Sequence, residues 1–99
     1  MEATFTLADN KARIVLTGDF TFEGHRAFKE ASQQALNNPG VAEVEIDFDG
    51  VDYMDSAALG MLLLLRERFG ARTIRLTHTR GTVRAVLDVA NFSRLFLLD

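Results

Sequence analysis

The spacing of apolar residues changes repeatedly between a period of two and a period near 3.6, and this alternation constrains the fold most strongly. Apolar residues at every second position indicate strands with one buried face, whereas apolar residues three and four apart indicate amphipathic helices. Strands are predicted over 4–7, 12–18, 43–48 and 73–79, with a short strand or extended tail over 94–98. Helices are predicted over 22–36, where Thr21 is a credible N-cap, from 56 onward, and over 81–92.

The resulting order is β-β-α-β-α-β-α-β, which predicts a single α/β domain over residues 1–99. Helices that join consecutive strands require crossover connections, and strands connected in this way run parallel. The segment "LADNK" between the first two strands is typical of a hairpin turn, so that pair is expected to be antiparallel. We therefore expect a mixed, mostly parallel β-sheet with about three helices.

Composition and charge exclude several classes of protein. The net charge of −3, from 11 basic and 14 acidic residues, argues against a nucleic-acid-binding protein. The absence of cysteine excludes a disulfide scaffold, a thiolate metal site and a cysteine nucleophile. The amino terminus lacks a signal-peptide pattern, and the longest apolar run, "AALGMLLLL", is about half of what a membrane-spanning helix needs. We expect a cytoplasmic protein without direct membrane insertion.

The predicted helix that follows Asp55 has two different faces. With about 100° per residue, one stripe is apolar and should face the sheet: Ala58, Met61, Leu62, Leu65 and Phe69. The opposite stripe should meet solvent, with Leu64 near its edge: Ser56, Gly60, Leu63 and Glu67. A leucine within a solvent-facing stripe, beside a glycine that lowers the surface, suggests a docking patch for another protein.

Ser56 is either a helix N-cap or an exposed hydroxyl that another protein can modify. The two interpretations are compatible, because a capping serine is still accessible to solvent. Either Ser56 or Asp55 can cap the helix, and if Asp55 does so, the serine hydroxyl is left free at the first turn. A phosphate there would add about −1.5 to −2 charge and would be tolerated by the helix dipole. Since four aspartates lie nearby in sequence (Asp47, Asp49, Asp52 and Asp55), we expect a phosphorylated site to be strongly negative and to oppose docking.

Three segments together resemble the STAS domain, named after sulfate transporters and anti-sigma factor antagonists. They are "TGDF" at 17–20, "VEIDFDGVDYMDSAALGMLLLLRE" at 44–67 and "GTVRAVLDVANFSRLF" at 81–96. The most specific part is Asp-Ser followed by small residues and Leu-Gly, at 55–60. The resemblance implies a bacterial anti-sigma factor antagonist, whose unphosphorylated form binds a partner that is both serine kinase and anti-sigma factor. Phosphorylation by that partner releases it, and a separate PP2C-type phosphatase resets the switch.

The motif assigns roles residue by residue. Ser56 occupies the phosphoacceptor position, Asp55 helps to shape the site, and Gly60 and Leu63 lie at the contact surface. With Leu64 and Glu67 added from the solvent-facing stripe, the predicted partner-binding set is Asp55, Ser56, Gly60, Leu63, Leu64 and Glu67. Many members carry a second hydroxyl residue and a glycine where this chain has Ala57 and Ala58, so the motif holds one hydroxyl. Many members also continue into a last helix where this chain stops at Asp99, which is expected to leave one side of the sheet more open.

Two other functions remain possible from the sequence. The chain is alternatively a constitutive STAS subunit of a membrane-transport complex, such as one contacting the ATPase of a lipid transporter, with Ser56 only a cap. A small serine hydrolase using Ser56 with His25 and an aspartate is a third hypothesis, although no glycine-rich nucleophile elbow surrounds the serine. We expect no enzymatic activity, no cofactor, and no metal site, since neither His25 nor His78 has a second ligand three or four residues away.

Overall fold

The computed structural model describes residues 1–99, and its elements follow the predicted order. The five strands are Glu2–Ala8 (β1), Lys11–Thr17 (β2), Glu43–Gly50 (β3), Thr73–Thr77 (β4) and Leu97–Leu98 (β5). The three helices are His25–Leu36 (α1), Ser56–Phe69 (α2) and Gly81–Val89 (α3). Short 3-10 turns cover Phe22–Gly24 and Phe92–Arg94. The predicted fold class is confirmed.

The five strands form one sheet in the order β1-β2-β3-β4-β5. The hairpin pair β1 and β2 is antiparallel, and every other neighbouring pair is parallel. Each of the three helices connects neighbouring parallel strands in the same direction across the sheet. Because such crossovers are right-handed, the helices cover the same face of the sheet.

The core lies between this covered face and the helices. It contains 23 buried apolar residues, and the alternation along β3 shows how they are placed: Val44, Ile46 and Phe48 are buried, whereas Glu43 and Glu45 point to the other side. That other side, here called the open sheet face, carries charged side chains along its parallel strands: Lys11, Arg13, Glu43, Glu45, Asp47 and Arg75.

Three local predictions are wrong. The helix predicted over 81–92 ends at Val89, since Asn91 adopts a positive φ of 60°. Thr21 does not cap α1 with its side chain, because the chain first forms a 3-10 turn in which the Gly24 N–H donates to the Thr21 carbonyl at 2.9 Å. The helix therefore begins at His25. The strand predicted over 73–79 ends at Thr77, since His78 adopts a positive φ of 57° that breaks extended backbone and turns the chain toward α3.

Candidate functional site

Asp55, not Ser56, caps α2. The Asp55 backbone is extended, and its carboxylate accepts hydrogen bonds from the N–H groups of Ala57 and Ala58 at 3.0 and 3.3 Å. Such a cap contributes about 1 kcal/mol to helix stability. Ser56 is the first helical residue, its side chain is exposed, and its hydroxyl makes no hydrogen bond within the protein. The serine is therefore not needed to start the helix.

The loop before Asp55 is fixed by the core. Val51 and Met54 are buried, and the Phe20 N–H donates to the Tyr53 carbonyl at 2.9 Å. The Asp55 N–H in turn donates to the Phe20 carbonyl at 3.2 Å. Ser56 thus sits at a junction held on both sides, so that its hydroxyl is presented in one place.

The two stripes predicted for α2 are present. The buried side consists of Ala58, Leu62, Leu65 and Phe69, and Met61 lies at its edge, half-buried. The exposed side, here called the docking face, consists of Ser56, Gly60, Leu63, Leu64 and Glu67. Leu63 and Leu64 are 41% and 47% exposed. Two adjacent leucines exposed to this extent form an apolar surface that nothing in the chain covers.

Gly60 has no role in the internal packing of the protein. A Cβ built at this position meets no heavy atom within 4 Å, and its φ is not among the positive values that favour glycine. A glycine inside a helix costs about 1 kcal/mol relative to alanine. Since the fold gains nothing from it, the flat surface that Gly60 creates is available for close approach by another molecule.

Two residues beside the docking face were missed by the sequence analysis. Leu95 is 43% exposed and lines a shallow cleft with Gly60, Leu63 and Leu64; the Arg66 guanidinium donates to its carbonyl at 3.4 Å. Tyr53 is 48% exposed and lies two residues before Asp55. Nothing in the local pattern around Leu95 marks it as a neighbour of α2, because the two segments are 29 residues apart.

The acidic residues near Ser56 in sequence do not all surround it. Asp47 is buried and directed to the open sheet face, away from the docking face. Asp49 and Asp52 lie 3.2 and 3.8 Å from the guanidinium of Arg80, which offsets part of their charge. The expectation that four aspartates make the site strongly negative is therefore wrong in part, since strand alternation turns Asp47 to the other face.

Asp47 is the centre of a polar cluster on the open sheet face. Its Oδ1 accepts from the Asp49 N–H at 2.8 Å and lies 2.9 Å from Nδ1 of His78, while Oδ2 accepts from the Arg13 guanidinium. Burial of the carboxylate raises the pKa of Asp47, but the Asp49 N–H, His78 and Arg13 together outweigh burial and hold this pKa below its ordinary value. Asp47 is therefore held in its ionised form.

Glu45, Asp47 and His78 are the one group of side chains close enough to share a metal ion, with ligand atoms within 4.8 Å of one another. Sequence spacing does not reveal this group because it joins β3 to the end of β4. Its carboxylates are already occupied, since Thr77 Oγ1 donates to Glu45 at 2.9 Å and Arg13 contacts both acids. A cation would have to displace Arg13, so this group fits an ion-pair network better than a metal centre.

No helix combines the length and the apolar character required to cross a lipid bilayer.

A family model described as "Mlab, STAS domain" matches residues 3–99 of the chain. The chain is 36% identical over 88 residues to the STAS-domain containing protein PA14_20770 of Pseudomonas aeruginosa strain UCBPP-PA14, an alignment that covers 87% of this chain and 85% of that protein.

Solved structures with the same fold include an anti-sigma factor antagonist from Mycobacterium paratuberculosis, at 16% identity and a TM-score of 0.86. That match covers 97% of this chain and 82% of the other. They also include the Bacillus cell fate determinant SpoIIAA in its phosphorylated form, at 17% identity and a TM-score of 0.71, covering 98% and 90% of the two chains. At these identities the structural likeness shows the shared fold.

Proposed function

The chain belongs to the STAS-domain family described as "Mlab, STAS domain". We propose that it is a cytoplasmic anti-sigma factor antagonist that works by partner switching. The observation that carries the proposal is the free, exposed hydroxyl of Ser56 at the start of the docking face. The names of two structural neighbours, one an anti-sigma factor antagonist and one a phosphorylated form of SpoIIAA, support it. In this role the protein would regulate transcription without contacting nucleic acid.

In the unphosphorylated state, the docking face binds the anti-sigma factor. Leu63 and Leu64 supply apolar surface, Gly60 lets the partner approach the helix backbone, and Glu67 lies at the exposed edge of the same stripe. Apolar burial of this kind contributes about 25 cal/mol per Å² of surface removed from water. Ser56 at the end of the stripe is small and neutral, so the partner can cover it at low cost.

Phosphorylation of Ser56 by the same partner makes binding of that partner unfavourable. A phosphate carries about −1.5 to −2 charge at pH 7, and the N-terminus of α2 tolerates that charge because of the helix dipole. The fold is therefore expected to stay the same. Covering a dianion without a matching cation costs several kcal/mol, which is enough to release a micromolar complex. A PP2C-type phosphatase would restore the hydroxyl.

The direct test is to incubate the protein with its candidate kinase and ATP and to measure the intact mass. One added phosphate is expected on the wild type and none on Ser56→Ala. Ser93→Ala is the matched control, because Ser93 is also exposed but lies outside the docking face, and it should still be phosphorylated. Phosphate that survives Ser56→Ala would remove Ser56 from the proposal.

The second candidate is a constitutive STAS subunit of a membrane-transport complex, in which the docking face is held permanently by an ATPase. One observation favours it: the motif offers a single hydroxyl because Ala57 and Ala58 follow Ser56. The capping role expected of Ser56 in such a subunit is wrong, since Asp55 provides the cap. Ser56→Glu separates the two functions. In a partner switch, this variant should no longer bind the anti-sigma factor. Co-purification of the same variant with a transporter ATPase from the same operon would instead favour the second candidate.

The proposal includes no enzymatic activity, and the hydrolase hypothesis has its own test. The Ser56 hydroxyl makes no hydrogen bond to either histidine; the His25 ring stacks on Phe22 and His78 contacts Asp47. A serine nucleophile requires a base within hydrogen-bond reach. A serine-reactive fluorophosphonate is therefore expected to leave Ser56 unlabelled, and stoichiometric labelling of Ser56 would support a hydrolase.

A further inference from the structure

A narrow groove runs between α1 and α2, next to the docking face but distinct from Ser56. It holds a half-open cavity of about 90 Å³. Its walls are apolar and are formed by Phe28, Met61, Leu64 and Leu65. The remaining lining residues are polar or basic: His25, Lys29, Ser32 and Arg68. No acidic side chain lines this groove.

Ser32 is the unusual member of this set. The residue is only 5% exposed, and its Oγ has no hydrogen-bond partner in the protein. A buried hydroxyl without a partner costs about 1–3 kcal/mol, and native structures contain few of them. Because the hydroxyl lines the groove, a polar atom of a bound ligand would satisfy it.

The two longest basic side chains of the groove are also without partners. Neither Lys29 nor Arg68 forms an ion pair, whereas Lys11, Arg13 and Arg75 are all paired with carboxylates on the open sheet face. Both α1 and α2 cross back over parallel strands, so they run in the same direction. Three polar or basic side chains of the groove therefore lie nearer the carboxyl ends of the helices than the apolar pair Phe28 and Met61. They are Lys29 and Ser32 on α1 and Arg68 on α2.

We propose that this groove binds a small amphiphilic anion, a medium-chain aliphatic carboxylate. The carboxylate lies between Lys29 and Arg68, where it accepts hydrogen bonds from both and from the Ser32 hydroxyl. The chain lies over Phe28, Met61 and Leu64. The cavity is small and half-open, so the groove covers the carbons next to the head and leaves the rest of the chain exposed.

Octanoate is the probe, and octanol is the uncharged control with the same chain. Titration of isotope-labelled protein, followed by two-dimensional amide NMR, is expected to give saturable shifts confined to residues 25–32 and 61–68. Octanol should bind about tenfold more weakly or worse, because it lacks the charge-assisted hydrogen bonds. Octyl phosphate distinguishes a requirement for a carboxylate from a requirement for any anion. We expect octanoate to bind at least as tightly as octyl phosphate.

Variants locate the head group. The double variant Lys29→Gln/Arg68→Gln should weaken octanoate by about tenfold or more, since both partners of the anion are lost. Arg94→Gln, which removes another unpaired arginine outside the groove, should have no effect. Ser32→Ala should fold normally, because it removes an unpartnered hydroxyl, and should weaken octanoate by about threefold.

Equal binding of octanol and octanoate would overturn the proposal, as would shifts spread evenly over the protein or unchanged affinity in the double variant. The test does not depend on the partner switch. Ser56→Glu, which should abolish docking of the anti-sigma factor, is expected to bind octanoate like the wild type, so the two proposals fail separately.

Discussion

The open sheet face and the docking face are both exposed, but only on the open sheet face do the exposed groups have partners within the chain. On the open sheet face the charges are paired within the chain, with Lys11 3.0 Å from Glu43 and Arg13 3.5 Å from Glu45. On the docking face, Leu63 and Leu64 are uncovered and the Ser56 hydroxyl makes no hydrogen bond. The charged groups of the open sheet face therefore interact with one another, whereas the leucines and the hydroxyl of the docking face are left uncovered.

This difference explains why the docking face, and not the more highly charged surface, is the better candidate for binding. A partner covering the open sheet face would have to desolvate charges that already interact with one another, with little net gain. A partner covering Leu63 and Leu64 removes apolar surface from water and disrupts no existing contact. Uncovered apolar surface therefore provides more binding free energy than exposed charges that are already paired.

The largest expected effect separates the two sides of α2. Leu65→Ala should lower the free energy of unfolding by about 2–5 kcal/mol, because it leaves a cavity in the core, whereas Leu64→Ala should change it by less than about 0.5 kcal/mol. Leu65 is 2% exposed and Leu64 is 47% exposed. Urea unfolding of both variants measures the difference, and similar losses would show that Leu64 belongs to the core.

Next, Leu63→Glu should weaken binding of the anti-sigma factor by at least about 30-fold, the effect of losing a central apolar contact of about 2 kcal/mol. Leu97→Glu is the control, since Leu97 is 49% exposed but lies on β5, outside the docking face. Calorimetric titration gives the affinities, and circular dichroism should show both variants folded. Unfolding of Leu63→Glu would place Leu63 in the core instead.

On the open sheet face, Asp47→Asn should cost about 1–3 kcal/mol at neutral pH, because it removes the charged acceptor of Arg13 and His78. Asp52→Asn, at an exposed position, should cost less than about 0.5 kcal/mol. Because folding lowers the pKa of Asp47, its contribution is complete above the ordinary aspartate value, about 3.9, and is lost as pH falls through the folded value. Wild-type stability should therefore decline below about pH 4 more steeply than that of Asp47→Asn.

Gly60→Ala should raise the free energy of unfolding by about 0.5–1 kcal/mol, since alanine favours the helix and its Cβ meets no neighbour. The same change should weaken partner binding by about tenfold, because the methyl group overpacks the interface. Thermal unfolding and a binding titration on the same sample measure both effects. A stabilised variant that binds as tightly as the wild type would contradict the role given to Gly60.

The smallest effect tests the ion pairs of the open sheet face. Lys11→Met removes the contacts to Glu43 at 3.0 Å and to Glu45 at 3.9 Å, and the Lys11 side chain is 50% exposed. Exposed pairs of this kind contribute about 0–1 kcal/mol, so a change within about 0.5 kcal/mol is expected. Urea unfolding at low and high salt measures it, and a loss well above 1 kcal/mol would mean that this surface stabilises the fold as strongly as the core does.

Much of the fold and of the docking face was predictable because the responsible signals are local. The alternation of apolar residues in β3 and the stripe of Leu62 and Leu65 in α2 reflect fixed strand and helix periods, and these also place Ser56, Gly60 and Leu63 on the outer side. The failures at Thr21 and His78 lie at the ends of elements, where a 3-10 turn and a positive φ are set by surrounding contacts.

The sequence by itself determined the order of elements, the exposed stripe of α2 and the position of Ser56 at its start, because residues a few positions apart are related by backbone geometry alone. Only the tertiary structure decided that Asp55 is the cap, that Asp47 meets Arg13 and His78, that Leu95 lies beside α2, and that Ser32 is left without a partner. The contacts of Asp47 and Leu95 join segments about 30 residues apart, and such contacts depend on strand order and helix packing, which no local period encodes.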